Sequence, residues 1–231
     1  MRKIEDHSLY LVLSEEYGRG RSAPDMAKLA VSGGIDILQM REKERPRDEL
    51  VKLGRELRRI CKKGKKGKIG VEKGDAGKIG EEKGDAIFIV NDDPSVAKEV
   101  GADGVHLGQE DLERWSLKKT RNLLGPDRVI GISTHSLAQF KKANSEDFDY
   151  IAFGPIFPTR TKDYCIGTGD VEEALKTAEK PVVFIGGINL TNIDELLEKG
   201  ARNIALIRGI TEAEDVEEAA RSFRERIEKG R

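Results

Sequence analysis

Short apolar runs alternate along this chain with longer amphipathic, charge-rich stretches. Eight runs read as strands: 9–13, 35–40, 87–90, 104–107, 129–132, 150–153, 182–185 and 204–207. They are rich in Val, Ile, Leu and Phe and lack clean polar alternation, as expected of strands covered on both faces. Helical patterning fills most of the gaps, at 24–32, 47–61, 94–100, 137–143, 171–178 and 193–199, and a final helix over 213–229 closes the chain. Strand–helix alternation predicts parallel strands joined by right-handed crossovers. Eight such units in 231 residues predict one α/β domain over 1–231, a single (β/α)8 TIM barrel, with a doubly wound open sheet as the alternative.

One segment interrupts this rhythm. Residues 62–86 contain a near-duplicate, KIGVEKGDA at 68–76 and KIGEEKGDA at 78–86. The stretch is Gly- and Lys-rich with almost no large apolar residues, so it reads as an irregular low-complexity insertion before the third strand. It enters that strand at its N-terminal end. Barrel active sites lie at the opposite end, so the insertion is expected to be remote from the chemistry.

Composition narrows the function classes. A net charge of −1 gives no electrostatic footprint for nucleic acid or a membrane surface. Charged residues make up 36%, above the roughly 25% of ordinary globular proteins, and Gln and Asn are scarce, a thermophile-like surface composition. Cys61 and Cys165 form no CxxC or zinc pattern and read as ordinary thiols of a reducing cytoplasm. The first residues carry no signal-peptide pattern, and no run approaches the ~20 apolar residues of a membrane span. A cytoplasmic location is expected.

If the barrel holds, functional residues should follow the strand ends, and polar or Gly-rich clusters stand there. Asp92 and Asp111 would project from neighbouring strands, and two carboxylates sharing a site repel unless a cation intervenes. Mg²⁺ takes one or two carboxylates and completes its shell with water and phosphate; surface acids or helix N-caps are the bland alternative. Arg41, Lys43 and Lys162 add positive charge suited to phosphate oxygens. Gly186-Gly187 lies where barrels bind phosphate, after strand seven. His106 reads as a packed, hydrogen-bonded histidine. His135 suits either acid–base work or loop orientation. Ser133 and Thr134 have no evident acid to complete a triad with His135.

These clusters, in this order, resemble thiamine-phosphate synthase from about residue 9 to the C-terminus, with 62–86 excepted. The stretches are QMREK at 39–43, FIVNDDPSVAKEVGADGVHLGQEDL at 88–112, GISTH at 131–135, DYIAFGPIFPTRTKD at 149–163 and PVVFIGGINLTNIDELLEKGA at 181–201. The resemblance implies a (β/α)8 barrel that joins 4-amino-5-hydroxymethyl-2-methylpyrimidine diphosphate to 4-methyl-5-(2-phosphoethyl)thiazole, giving thiamine phosphate and pyrophosphate. It places Gln39, Met40, Arg41, Glu42 and Lys43 along the pyrimidine diphosphate, with Arg41 and Lys43 on its phosphates and Asn91 on the pyrimidine. It gives Asp92 and Asp111 to Mg²⁺, and Ser133 and Lys162 to the diphosphate substrate. Thr159, Arg160 and Thr161 would meet the thiazole phosphate, with Gly187, Ile207 and Arg208 completing that site. Arg41, Lys43, Ser133 and Lys162 form the expected catalytic set. The expected partners are these two phosphorylated small molecules and a second copy in a homodimer.

The chain departs from the family pattern in places. Arg208 stands where members usually carry Ser, Ser14-Glu15-Glu16 replaces the more usual Thr-Asp, and Asp93 replaces a commonly basic residue. The alternatives are a thiazole tautomerase-like isomerase, needing acid–base residues but no diphosphate grip, and a non-catalytic thiamine-precursor binding protein.

Overall fold

The structure, a computed structural model, describes residues 3–63, 85–160 and 163–230. Its strands are β1 (Leu9–Leu13), β2 (Ile37–Met40), β3 (Ile87–Asn91), β4 (Gly104–Leu107), β5 (Val129–Thr134), β6 (Tyr150–Phe153), β7 (Val182–Ile185) and β8 (Asn203–Leu206). Each pairs in parallel with its sequence neighbours, and β8 returns to β1 with Leu9 opposite Ile204 and Tyr10 opposite Ala205. That last pairing closes the barrel and excludes the open sheet. Two strands run further than the pattern predicted, and they carry Asn91, Ser133 and Thr134 inside the sheet rather than after it.

Both faces of the sheet are buried, but they differ. Leu9, Leu11 and Leu13 of β1, with Phe88 and Val90 of β3, belong to the outer core between strands and helices. Tyr10, Val12, Ile37, Ile89 and Tyr150 point into the barrel, in a separate inner core. The period of two survives as this division. It was hidden in the sequence because most inward residues are also apolar.

The helices are α1 (Ala23–Ser32), α2 (Arg47–Lys63), α3 (Pro94–Val100), α4 (Leu117–Leu124), α5 (Leu137–Asn144), α6 (Val171–Thr177), α7 (Ile193–Glu198), α8 (Arg208–Thr211) and α9 (Val216–Lys229). Side-chain caps start several of them. Ser22 accepts from the Asp25 N–H, Ser116 from Lys119 and Asp215 from Glu218. Helix α4 was not predicted: it is eight residues long and fully buries Thr120 alone, so it has little apolar periodicity to read. Among the described residues, no helix is long and apolar enough to cross a membrane.

The N-terminal face is tied by a repeated device. Asp36, Asp103 and Asp149 stand before β2, β4 and β6 and accept from the N–H groups of Leu9, Phe88 and Ile130 at 2.8, 2.9 and 2.7 Å. An arginine meets each acid: Arg224 with Asp36, Arg58 with Asp103 and Arg121 with Asp149. The 62–86 segment departs from this same face. Most of it lies outside the described residues, but its flanks meet, the Ala86 N–H donating to the Cys61 carbonyl at 3.2 Å.

Candidate active site

A cavity of about 710 Å³ opens at the C-terminal mouth of the barrel, a size typical of small-molecule sites. Each strand contributes an inward residue to it. These are Val12, Gln39, Asn91 and His106 from β1 to β4, and Ser133, Ala152, Ile185 and Ala205 from β5 to β8. Polar groups therefore cluster on β2 to β5, and apolar ones on β6 to β8.

The acid pair sits on the polar side. Asp92 follows β3 with φ of 63°, a left-handed conformation that Asp tolerates better than most residues. Its N–H donates to the His106 carbonyl at 2.8 Å. The next residue, Asp93, turns away to cap α3, accepting from the Ser95 and Val96 N–H groups at 2.8 and 3.2 Å. That role accounts for an acid at this position. Asp111, in the turn after β4, accepts from the Gly108 N–H at 2.7 Å and hydrogen-bonds to the Asp92 side chain. Burial first, then the hydrogen bond and charge of Asp111, push the Asp92 carboxyl up to about 7, against the pull of Lys43 and Arg41.

Carboxylates this close hold a proton between them unless a cation stands there. Among the described residues no three His, Cys, Asp or Glu side chains gather into a metal cage. Two carboxylates that leave the remaining positions to water and phosphate fit the ligand habit of Mg²⁺.

Of the 39–43 stretch, Gln39, Arg41 and Lys43 line the cavity. The Met40 side chain packs in the outer core. Glu42, raised in pKa by burial, accepts from the Glu15 N–H at 2.7 Å. Glu15 in turn pairs with Arg45 and accepts from the Ala23 N–H, so the acids after β1 brace the loops of β1 and β2.

The other end of the cavity is built from three loops. Pro158, Thr159 and Arg160 come from the loop after β6, Gly186 and Gly187 from that after β7, and Ile207 and Arg208 from the turn after β8 that opens α8. Gly186 and Gly187 have φ of 104° and 67°, and a Cβ on Gly187 would lie 2.5 Å from the Pro158 carbonyl oxygen. Only glycine allows this approach. Helix α7 begins later, at Ile193, so the glycine pair packs on the β6 loop rather than forming the helix's first turn. Arg208 Nε lies 3.1 Å from Glu212, which Arg160 also approaches at 3.8 Å. Thr161 and Lys162 lie outside the described residues.

Histidines divide as expected. His106 is buried, with Nδ1 2.8 Å from the Tyr150 hydroxyl and Nε2 2.8 Å from Ser133 Oγ. Burial pushes its pKa down to about 4, so the ring is neutral. His135 Nδ1 donates to the Gly154 carbonyl at 2.6 Å, which fixes the ring against the β6 loop. Thr134 Oγ1 donates to the Ala152 carbonyl at 2.9 Å and is buried. Four residues at the site escaped the sequence reading: Tyr10, Tyr17, Tyr150 and Glu212. A tyrosine inside an apolar strand needs a hydrogen-bond partner, and that requirement was the available signal for Tyr10 and Tyr150.

The family model described as thiamine monophosphate synthase matches residues 74–210. The thiamine-phosphate synthase of Shouchella clausii is 35% identical over 218 residues, covering 93% of this chain and 93% of that protein. The one from Methanoculleus marisnigri is 37% identical over 224 residues, covering 96% and 95%. A solved structure, thiamine phosphate pyrophosphorylase from Pyrococcus furiosus, superposes with a TM-score of 0.80 at 29% identity over 97% of this chain and 96% of that one. The chain belongs to the thiamine monophosphate synthase family.

Proposed function

We propose that this chain joins 4-amino-5-hydroxymethyl-2-methylpyrimidine diphosphate to 4-methyl-5-(2-phosphoethyl)thiazole, forming thiamine phosphate and releasing pyrophosphate. The observation that carries the reading is the division of one cavity into two anion-suited ends. Asp92, Arg41 and Lys43 line one end, with Asp111 hydrogen-bonded to Asp92, and Gly187, Thr159 and Arg208 line the other. A substrate bearing a diphosphate and a second bearing a phosphate would meet between them.

The leaving group takes the electron pair of the breaking C–O bond, so negative charge grows on pyrophosphate. Arg41 and Lys43 stabilise that charge, and Ser133 adds a hydroxyl. Asp92 and Asp111 would hold Mg²⁺, which when bound would supply Lewis-acid neutralisation of the diphosphate. The aminopyrimidine shares the positive charge left on its methylene carbon. The thiazole nitrogen lone pair then forms the new C–N bond. No protein nucleophile is required, in keeping with the neutral, fully engaged His106 beside Ser133. The apolar wall of Ala152, Ile185 and Ala205 offers no hydrogen-bond anchor to water that would otherwise capture the cation.

The test mixes the protein with both substrates and Mg²⁺ and measures thiamine phosphate and pyrophosphate. Equimolar appearance of the two is expected. No product with both substrates saturating would remove the reading.

A further inference from the structure

Five buried or half-buried side chains form one continuous line of hydrogen bonds across the inside of the barrel. Gln39 Nε2 donates to the Tyr10 hydroxyl at 2.7 Å, and that hydroxyl lies 2.9 Å from the Tyr150 hydroxyl. Tyr150 Oη lies 2.8 Å from His106 Nδ1, and His106 Nε2 lies 2.8 Å from Ser133 Oγ. The residues come from β2, β1, β6, β4 and β5 in that order. Space is reserved for the line: a Cβ on Gly131 would lie 2.0 Å from Tyr150 Cζ. Both ends of the line, Gln39 and Ser133, line the cavity.

The line has a direction. An amide NH₂ only donates, a phenol donates once, and a neutral imidazole has one donor and one acceptor nitrogen. Tyr10 accepts from Gln39, so its own proton is available for Tyr150. The Tyr150 proton then goes to His106 Nδ1. That makes Nε2 the protonated nitrogen, and it donates to Ser133. This assignment uses both phenol protons within the buried cluster, where an unpaired donor is costly. Ser133 Oγ is left with its own proton and an open cavity.

We infer that Tyr10, Tyr150 and His106 are positioning residues that orient Ser133 as a hydrogen-bond donor into the cavity while leaving the Gln39 carbonyl as an acceptor there. One polarised line thereby presents an acceptor to a substrate amino group at one end and a donor to a substrate anion at the other. Bonds in such a chain strengthen one another. The inference rests on the proposed reaction for the identity of amine and anion, but the direction of the line is a property of the free protein.

Two experiments test it separately from the reaction itself. Long-range ¹H–¹⁵N correlation spectra of substrate-free protein, with the histidines assigned through His7 and His135 substitutions, should show His106 protonated on Nε2 alone. An Nδ1-protonated ring reverses the line and overturns the inference, whether or not the protein makes thiamine phosphate. The second is kinetic. Ser133→Ala should lower kcat on the order of 100-fold, the scale of losing one charge-stabilising donor, with KM little changed. Tyr150→Phe should lower kcat about tenfold in the wild-type background and have no further effect in the Ser133→Ala background. Independent, multiplying losses would assign Tyr150 a merely structural role and overturn the inference.

Discussion

Arg208 lies over the ring of Tyr17, its guanidinium carbon 4.2 Å from the ring centroid, while its Nε lies 3.1 Å from Glu212. The residue that departs from the family's usual serine is thus held at the rim by an aromatic face and a carboxylate. Arg160 shares the same carboxylate at 3.8 Å. Glu212 balances two arginines at the end of the cavity assigned to the thiazole phosphate.

This arrangement predicts a phosphate contact that is strong in binding and neutral in chemistry. Arg208→Ser should raise KM for the thiazole phosphate about tenfold to a hundredfold, the range of a charge-assisted hydrogen bond. kcat should hold, because the contact is made equally in ground and transition states. Glu212→Gln should lower KM, by freeing both guanidinium groups. Steady-state kinetics with the pyrimidine substrate saturating decide it, and an unchanged KM for Arg208→Ser would leave the guanidinium to Glu212 alone.

The acid pair gives a pH prediction with a definite sign. Burial and Asp111 raise the Asp92 carboxyl to about 7 in the folded protein, whereas in the unfolded chain it titrates near the ordinary value of about 3.9. Its contribution to stability is therefore complete below about pH 4 and is lost as pH rises through 7. Metal-free wild type should lose thermal stability between pH 5 and 8 relative to Asp92→Asn. Mg²⁺ at pH 8 should restore it in wild type and not in the variant, since the cation binds the deprotonated pair. Asp92→Ala should abolish turnover in a folded protein. Parallel melting curves of wild type and Asp92→Asn, with and without Mg²⁺, read the effect, and identical pH slopes would remove the shared proton.

How much of this was legible follows from what each residue must do. The barrel was readable because each strand buries both faces and most helices have one apolar side, α4 being the exception. Asp92 and Asp111 stood out as acids just past strand ends. The orientation of Met40 and Glu42 was not readable, because adjacent residues in a strand point to opposite faces and the register must be known first. Tyr10 and Tyr150 were hidden because an inward tyrosine and a core tyrosine look alike until their partners are placed 140 residues apart. Asp93 beside Asp92 shows the same limit: only the left-handed turn at Asp92 separates a helix cap from a cation-suited acid.

The N-terminal face should carry stability without carrying activity. Arg224 is 7% exposed. It donates to the His7 carbonyl at 2.7 Å and to the Gly34 carbonyl at 3.1 and 3.0 Å, and it pairs with Asp36. Arg224→Met removes the buried cation of this pair and its three carbonyl hydrogen bonds, leaving Asp36 with the Leu9 N–H, a loss of about 3 kcal/mol. Urea unfolding should show it as a lower midpoint with an unchanged slope, while kcat and KM at 25 °C stay near wild type. A matching loss of kcat in folded protein would mean that the two faces are coupled.

The duplicated Gly/Lys-rich segment supplies the complementary case. Its described flanks, the end of α2 and the start of β3, stand on the face opposite the cavity and already touch through the Ala86 N–H and the Cys61 carbonyl. The ends that deletion must join are therefore held together by the barrel itself. Closure of a shorter loop also costs less entropy, by about 0.6 kcal/mol for each halving of its length. Removing residues 67–84 should leave kcat and both KM values within about twofold and should hold or slightly raise the melting temperature. A folded deletion variant with a large loss of kcat would show that the segment reaches the chemistry, even though its flanks stand at the other end of β3.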